Sequence, residues 1–135
     1  MKKTGLIVSL LIVFILLTAC GQAEEVLLTV GGQEYSQSEL EALGTTSADY
    51  TNKDGETTTY DGVSLAALLE DANLDDAGST VTFTAADGYK AELDASEALA
   101  CTNCIVAFDD ESLRMVMPDM SSKLQVKDLV SIDVD

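Results

Sequence analysis

The chain of 135 residues has no histidine, no tryptophan and a single proline, and only seven of its residues are basic. Without imidazole it lacks the commonest general base near neutral pH and the commonest nitrogen ligand for metals. Histidine-assisted serine and cysteine nucleophiles are excluded with it. The shortage of cations excludes nucleic acid as a partner. Lys and Arg number seven against 24 Asp and Glu, a formal charge of −17, whereas binding a polyphosphate depends on neutralising it with basic side chains. No Walker or dinucleotide fingerprint occurs, since Gly31-Gly32 has no third glycine and no strand-to-helix crossover. Internal repeats, low-complexity tracts and internal linkers are also missing.

What is present begins with Lys2 and Lys3, an apolar run from Gly5 to Leu17, and Leu17-Thr18-Ala19-Cys20. This is the layout of an export signal, and its apolar run is shorter than the roughly 20 residues a membrane-spanning helix needs. The four residues ending in Cys20 resemble the lipobox of bacterial lipoproteins. That resemblance implies a signal peptide of residues 1–19, removed on processing, and lipidation of Cys20. Residues 20–25 then form a short tether and residues 26–135 one domain at the outer face of a membrane, with the membrane as a partner through the lipid anchor. All 24 acidic residues follow Cys20 whereas two lysines precede it, so the processed chain carries −19. Scattered along the chain, these carboxylates read as a solvated surface that favours solubility and repels anionic headgroups.

Within the domain, Glu25 to Val30 reads as a strand and Gly31-Gly32 as a turn. Ser36 or Ser38 caps a short helix running through Leu43, which Gly44 closes. The threonine- and tyrosine-rich runs Thr45 to Asn52 and Thr57 to Tyr60 flank Asn52-Lys53-Asp54-Gly55 and predict a hairpin. Leu65, Leu68, Leu69 and Ala72 have helical spacing, which predicts a helix over Val63 to Asn73 with Ser64 as its cap. Strands follow at Thr80 to Thr84 and Tyr89 to Leu93 around Asp87-Gly88, then a helical turn at Ala95 to Ala100. Further strands are expected at Ile105 to Phe108, Arg114 to Met117 and Leu129 to Val134. Strands interrupted irregularly by a few short helices predict an α+β fold with a mixed sheet.

Cys101-Thr102-Asn103-Cys104 is the one local motif with reactive potential. It is not a haem attachment site, because Ile105 and not histidine follows Cys104, and no further Cys or His completes a zinc tetrahedron. It reads as a structural disulfide, as a redox-active pair, or as two buried thiols in an anaerobic host. Asn52-Lys53-Asp54-Gly55-Glu56 resembles part of a calcium loop, but its first ligand position falls on Tyr50, so a simple turn is the better reading. Asp109-Asp110-Glu111 is a hairpin tip whose like charges water screens.

One ordered set of residues goes further. Tyr60-Asp61-Gly62-Val63-Ser64-Leu65 with Leu68-Leu69, then Asp87-Gly88-Tyr89, then Leu113-Arg114-Met115-Val116-Met117-Pro118, resembles the sulfite-oxidase-type molybdopterin-binding domain. The closing Val126-Lys127-Asp128-Leu129-Val130-Ser131-Ile132 is similar to that family's last strand, so the likeness spans about Val26 to Val134. Members bind their metal through a cysteine ahead of the aromatic-x-Gly motif, and Thr45 to Thr59 contains none. They hold the pterin phosphate with Arg and His side chains, and here Arg114 is alone. The resemblance thus implies the scaffold, with no catalytic residue, no metal ligand and no molybdopterin cofactor expected. The leading expectation is a non-catalytic binding or accessory module. Its partner would be a membrane redox complex, or a small ligand in a vestigial pocket near Tyr60, Asp87, Tyr89 and Arg114. The alternatives are a thiol-disulfide or electron-transfer protein using Cys101 and Cys104, and a molybdopterin-dependent oxidoreductase subunit.

Overall fold

The computed structural model describes residues 24–135. The expected signal peptide, the lipid acceptor Cys20 and the first part of the tether lie outside the described residues. The described chain starts fastened, because the Glu24 carboxylate accepts hydrogen bonds from the Ser38 hydroxyl (2.6 Å) and amide (3.2 Å). β1 (Val26–Val30) turns back at once into β2 (Gln33–Ser36). Gly31 and Gly32 lie at φ +57° and +87°, the paired left-handed conformation that lets a two-residue reversal follow the twist of its strands. β2 was not legible as a strand, since Tyr35 is its only apolar residue. It forms because Tyr35 lies opposite Leu28 and is 97% buried in the core.

Ser36 ends β2 and opens α1 (Gln37–Ala42) through a capping box: its hydroxyl accepts from the Glu39 amide, and the Glu39 carboxylate accepts from the Ser36 amide at 2.8 Å. β3 (Thr46–Thr51) and β4 (Thr57–Ser64) form the expected hairpin. β4 continues four residues past Tyr60, and α2 (Leu65–Asp71) starts two residues later than the spacing suggested. The reason is the cap, since the Ser64 hydroxyl accepts from the Ala67 amide at 3.4 Å while its own backbone is still extended. Beyond the C-cap of α2 at Ala72, Asn73 at φ +59° aims the Leu74 amide back at the Leu69 carbonyl (2.8 Å).

β5 (Thr80–Ala85) and β6 (Lys90–Asp94) pair across the Asp87-Gly88 turn. α3 (Ala95–Ala100), β7 (Ile105–Asp109), β8 (Ser112–Val116), a 3-10 turn at Ser122–Leu124 and β9 (Leu129–Val134) complete the chain. The strands divide between two sheets. One has the order β2-β1-β9-β5-β6 and is mixed, because β1 and β9 run parallel; the other, β3-β4-β7-β8, is antiparallel. Strict alternation in Thr80–Ala85 sends Val81, Phe83 and Ala85 inward. There they join Leu28, Val30 and Ile132 of their own sheet, Val63, Val106 and Met115 of the other, and Leu65, Leu68 and Leu69 of α2. No described helix is long and apolar enough to cross a membrane.

Candidate functional site

The site is built on the face of the four-stranded sheet that points away from this core. In β8 the period of two turns Leu113 and Met115 inward and Arg114 and Val116 outward. On the outward face Ala48, Ile105, Ala107 and Val116 form a small second apolar cluster against which Tyr50 and Tyr60 pack. Gly62 lies opposite Ala107 in β7, and a Cβ there would run into the Val106 carbonyl oxygen. The glycine of the aromatic-x-Gly segment is therefore a close-approach residue.

Arg114, the sole arginine of the chain, is 94% buried on this face. Its Nη1 donates to the Tyr60 hydroxyl at 3.1 Å. The guanidinium carbon lies 4.8 Å from the Tyr60 ring centroid and 5.9 Å from that of Tyr50, both within cation–π reach. Its Nε is buried with no hydrogen-bond partner among the described residues. Buried donors left unpaired are uncommon, and each costs on the order of 1–3 kcal/mol.

An open pocket of about 320 Å³ lies over Arg114. Tyr50, Thr58 and Tyr60 wall it on the hairpin side, and Asn52 and Glu56 reach it from the hairpin tip. The Asn52 side-chain oxygen is already taken, since it accepts from the Asp54 and Glu56 amides at 2.9 and 3.0 Å and closes the turn. The remaining wall is Ser122, Gln125 and Lys127. That segment is fixed by Gln125, whose buried amide accepts from the Met117 amide at 2.8 Å and donates to the Met117 carbonyl at 2.7 Å.

Of the four residues expected near one pocket, Tyr60 and Arg114 meet here, while Asp87 and Tyr89 line a neighbouring pocket of about 350 Å³. The two pockets share Ser122, Gln125 and Lys127, so the Ser122–Lys127 segment divides the expected set in two. Asp87 and Tyr89 also brace the backbone around them. The Asp87 carboxylate accepts from the Tyr89 amide at 3.0 Å and the Tyr89 hydroxyl donates to the Lys123 carbonyl at 2.9 Å. Tyr50, Gln125 and Lys127 escaped the reading of the sequence. Tyr50 carried a usable signal, because it pairs with Thr58 and shares its face with Tyr60; Gln125 and Lys127 sit in a stretch without periodicity.

Cys101 and Cys104 are joined by a disulfide with their Cα atoms 5.5 Å apart. Cys101 follows the C-terminus of α3, and Cys104 is fully buried beside the start of α2, where its carbonyl accepts from the Leu65 amide at 2.9 Å. A thiolate gains stabilisation at the N-terminus of a helix, not at the C-terminus. Neither sulfur lines the Arg114 pocket. Among the described residues no group of three or more His, Cys, Asp or Glu is placed to hold a metal ion. With both described cysteines bonded to each other and no histidine in the chain, the donor set at the pocket does not fit a molybdenum–pterin centre.

The family model for the oxidoreductase molybdopterin binding domain matches residues 17–135. Among solved structures, the fold is similar to that of the sulfane dehydrogenase SoxCD from Paracoccus pantotrophus, with a TM-score of 0.64 and 16% sequence identity. The match covers 81% of this chain but 37% of that one. No curated protein matches the sequence.

Proposed function

The chain belongs to the oxidoreductase molybdopterin-binding domain family, and we propose that it uses this scaffold as a non-catalytic binding module anchored by a lipidated Cys20 at the outer face of a cell membrane. The observation that carries the binding role is the pocket at Arg114. It keeps a buried guanidinium with an unused donor, yet offers no thiolate or imidazole to a metal. Fold and activity are separable in this way because a scaffold survives the loss of a few ligands. Between a small ligand and a membrane redox complex as partner, the concave pocket favours the small ligand.

Metal and pterin analysis of the full chain purified from membranes tests the non-catalytic role. Neither molybdenum nor tungsten is expected above background, and stoichiometric amounts of either, with pterin, would overturn the reading.

The anchor is supported by the charged start, the short apolar run and Leu17-Thr18-Ala19-Cys20. Two or more acyl chains at about 0.8 kcal/mol per buried methylene hold a protein firmly to a bilayer. Metabolic labelling with a palmitate analogue should mark the wild type and not Cys20→Ala. Label retained by the variant would remove Cys20 as the acceptor.

A further inference from the structure

We propose that the Arg114 pocket binds a small organic monoanion through its carboxylate, with the uncharged part of the ligand against Tyr50 and Tyr60. This deepens the binding role proposed above and rests on that reading of the pocket. Three features of the structure point to it.

Arg114 is 94% buried, yet the side chain it meets is a tyrosine, and its Nε has no partner among the described residues. In a chain with 24 carboxylates, this buried cation has none as a partner among the described residues, and a carboxylate from outside reaches its Nη atoms first because the Nε has no solvent-exposed surface. The planar guanidinium fork matches that group in two parallel hydrogen bonds.

The second feature is the distribution of positive charge. Five basic residues follow Cys20, and three of them, Arg114, Lys123 and Lys127, line this pocket or the one that adjoins it. Asp87 and Asp128 offset Lys123 in the adjoining pocket, so the positive surplus is confined to the Arg114 pocket, where Arg114 and Lys127 outnumber Glu56. There it favours a small anion, while the field of the whole molecule repels polyanions.

The third feature is Glu56, the one carboxylate in the lining. Sharing a lining with Arg114 and Lys127, it penalises a second negative charge on the ligand and so selects a monoanion over a dianion. The two tyrosines supply the amphipathic wall that a compact organic body needs.

The test uses the full chain, 15N-labelled, in detergent micelles, with its metal content measured on the same sample. Because the chain has one arginine, its Nε–Hε group gives a single side-chain signal. Benzoate and acetate, added at constant ionic strength, should move that signal saturably, and phosphate should bind more weakly than either. Lys127→Gln should weaken benzoate binding by about threefold to tenfold, and Glu56→Gln should tighten it by about twofold or more, as expected for single charges a few ångströms from the site. Arg114→Lys removes the Nε–Hε signal, so it is read on the backbone amides of Tyr50, Tyr60 and Gln125, which benzoate should move saturably in the wild type and not in the variant. If that variant does not fold, the opposite signs of the Lys127 and Glu56 effects carry the test.

An unmoved signal, a response linear in every probe, or equal affinities in the wild type and both charge variants would overturn the proposal. Phosphate binding more tightly than the carboxylates would also overturn it. Absence of binding in metal-free protein refutes the monoanion and leaves the non-catalytic reading standing. Stoichiometric molybdenum in the same sample refutes that reading instead.

Discussion

The two faces of the four-stranded sheet use the same strand for opposite purposes. On one side of β8, Leu113 and Met115 merge into the core shared by both sheets; on the other, Arg114 lies among a few small apolar residues and two tyrosines. Their buried polar groups differ in the same sense. Tyr35, on the core side, is satisfied: its hydroxyl donates to Asp71 at 2.7 Å and accepts from Gln33 at 3.0 Å. Arg114 is equally buried and keeps a donor unpaired. A satisfied buried polar group ties elements together, here β2 to the end of α2. An unsatisfied one is a cost to the fold, and it is accounted for when a ligand completes it.

If the core face is where stability resides, Met115→Ala should have the largest effect. Its side chain is fully buried, and truncating such a residue costs about 2–5 kcal/mol through lost burial and the cavity left behind. Denaturant melts measure this, and a loss under about 1 kcal/mol would erase the contrast between the two faces.

Gly88 comes next, at the turn that positions Tyr89 over the second pocket. Its φ is +92° and the space around it is open, so a substitution meets no clash and acts through the backbone alone. Gly88→Val should cost about 1–3 kcal/mol, the price of a β-branched residue in a conformation it rarely adopts. Unchanged melting would show that the turn relaxes freely.

Tyr35→Phe should cost less, about 0.5–1.5 kcal/mol at neutral pH, because Asp71 is exposed and water replaces the lost donor. Its pH dependence is more telling. Burial pushes the Tyr35 hydroxyl well above the usual tyrosine range, and the hydrogen bond to Asp71 adds to the shift. The folded state therefore holds this proton more tightly than the unfolded one. That contribution is complete below the unfolded value of about 10 and is lost as pH rises beyond it. Melts in mild and strong alkali should show a smaller alkaline loss in Tyr35→Phe than in the wild type, and parallel losses would remove Tyr35 from the titration.

The parts of this molecule that were legible in the sequence share one property, which is that a local pattern and the tertiary environment agree. Thr-Val-Thr-Phe-Thr alternates because one face of β5 is core, and Leu65, Leu68 and Leu69 recur at helical spacing because one side of α2 is buried. β2 was not legible, since Gln33-Glu34-Tyr35-Ser36 owes its strand to pairing with β1 and not to its own composition. Val63 and Ser64 belong to β4 because Ser64 is itself the cap of α2 and keeps an extended backbone. Tyr60 and Arg114 could be named from the family pattern and do meet. Their separation from Asp87 and Tyr89 depends on the path of Ser122–Lys127, which is set by the Gln125 side chain gripping Met117. Such a nonlocal clamp leaves no periodic trace.

The smallest expected effect on stability is the sharpest test of the comparison. Arg114→Met keeps most of the side-chain volume on the outer face of the sheet while removing the charge and the orphaned Nε. Replacing a buried charge by an apolar side chain of similar size is often neutral or stabilising, because the cost of taking the charge out of water disappears with it. Lost with it are one hydrogen bond to the Tyr60 hydroxyl and the cation–π contacts with two rings, together about 1–2 kcal/mol. These terms nearly cancel, so stability should stay within about 1 kcal/mol of the wild type, or rise, while carboxylate binding disappears. A residue kept for the fold would behave in the opposite way. If Arg114→Met destabilised the domain as strongly as Met115→Ala does, the guanidinium would be part of the architecture, and the two faces of the sheet would be alike after all.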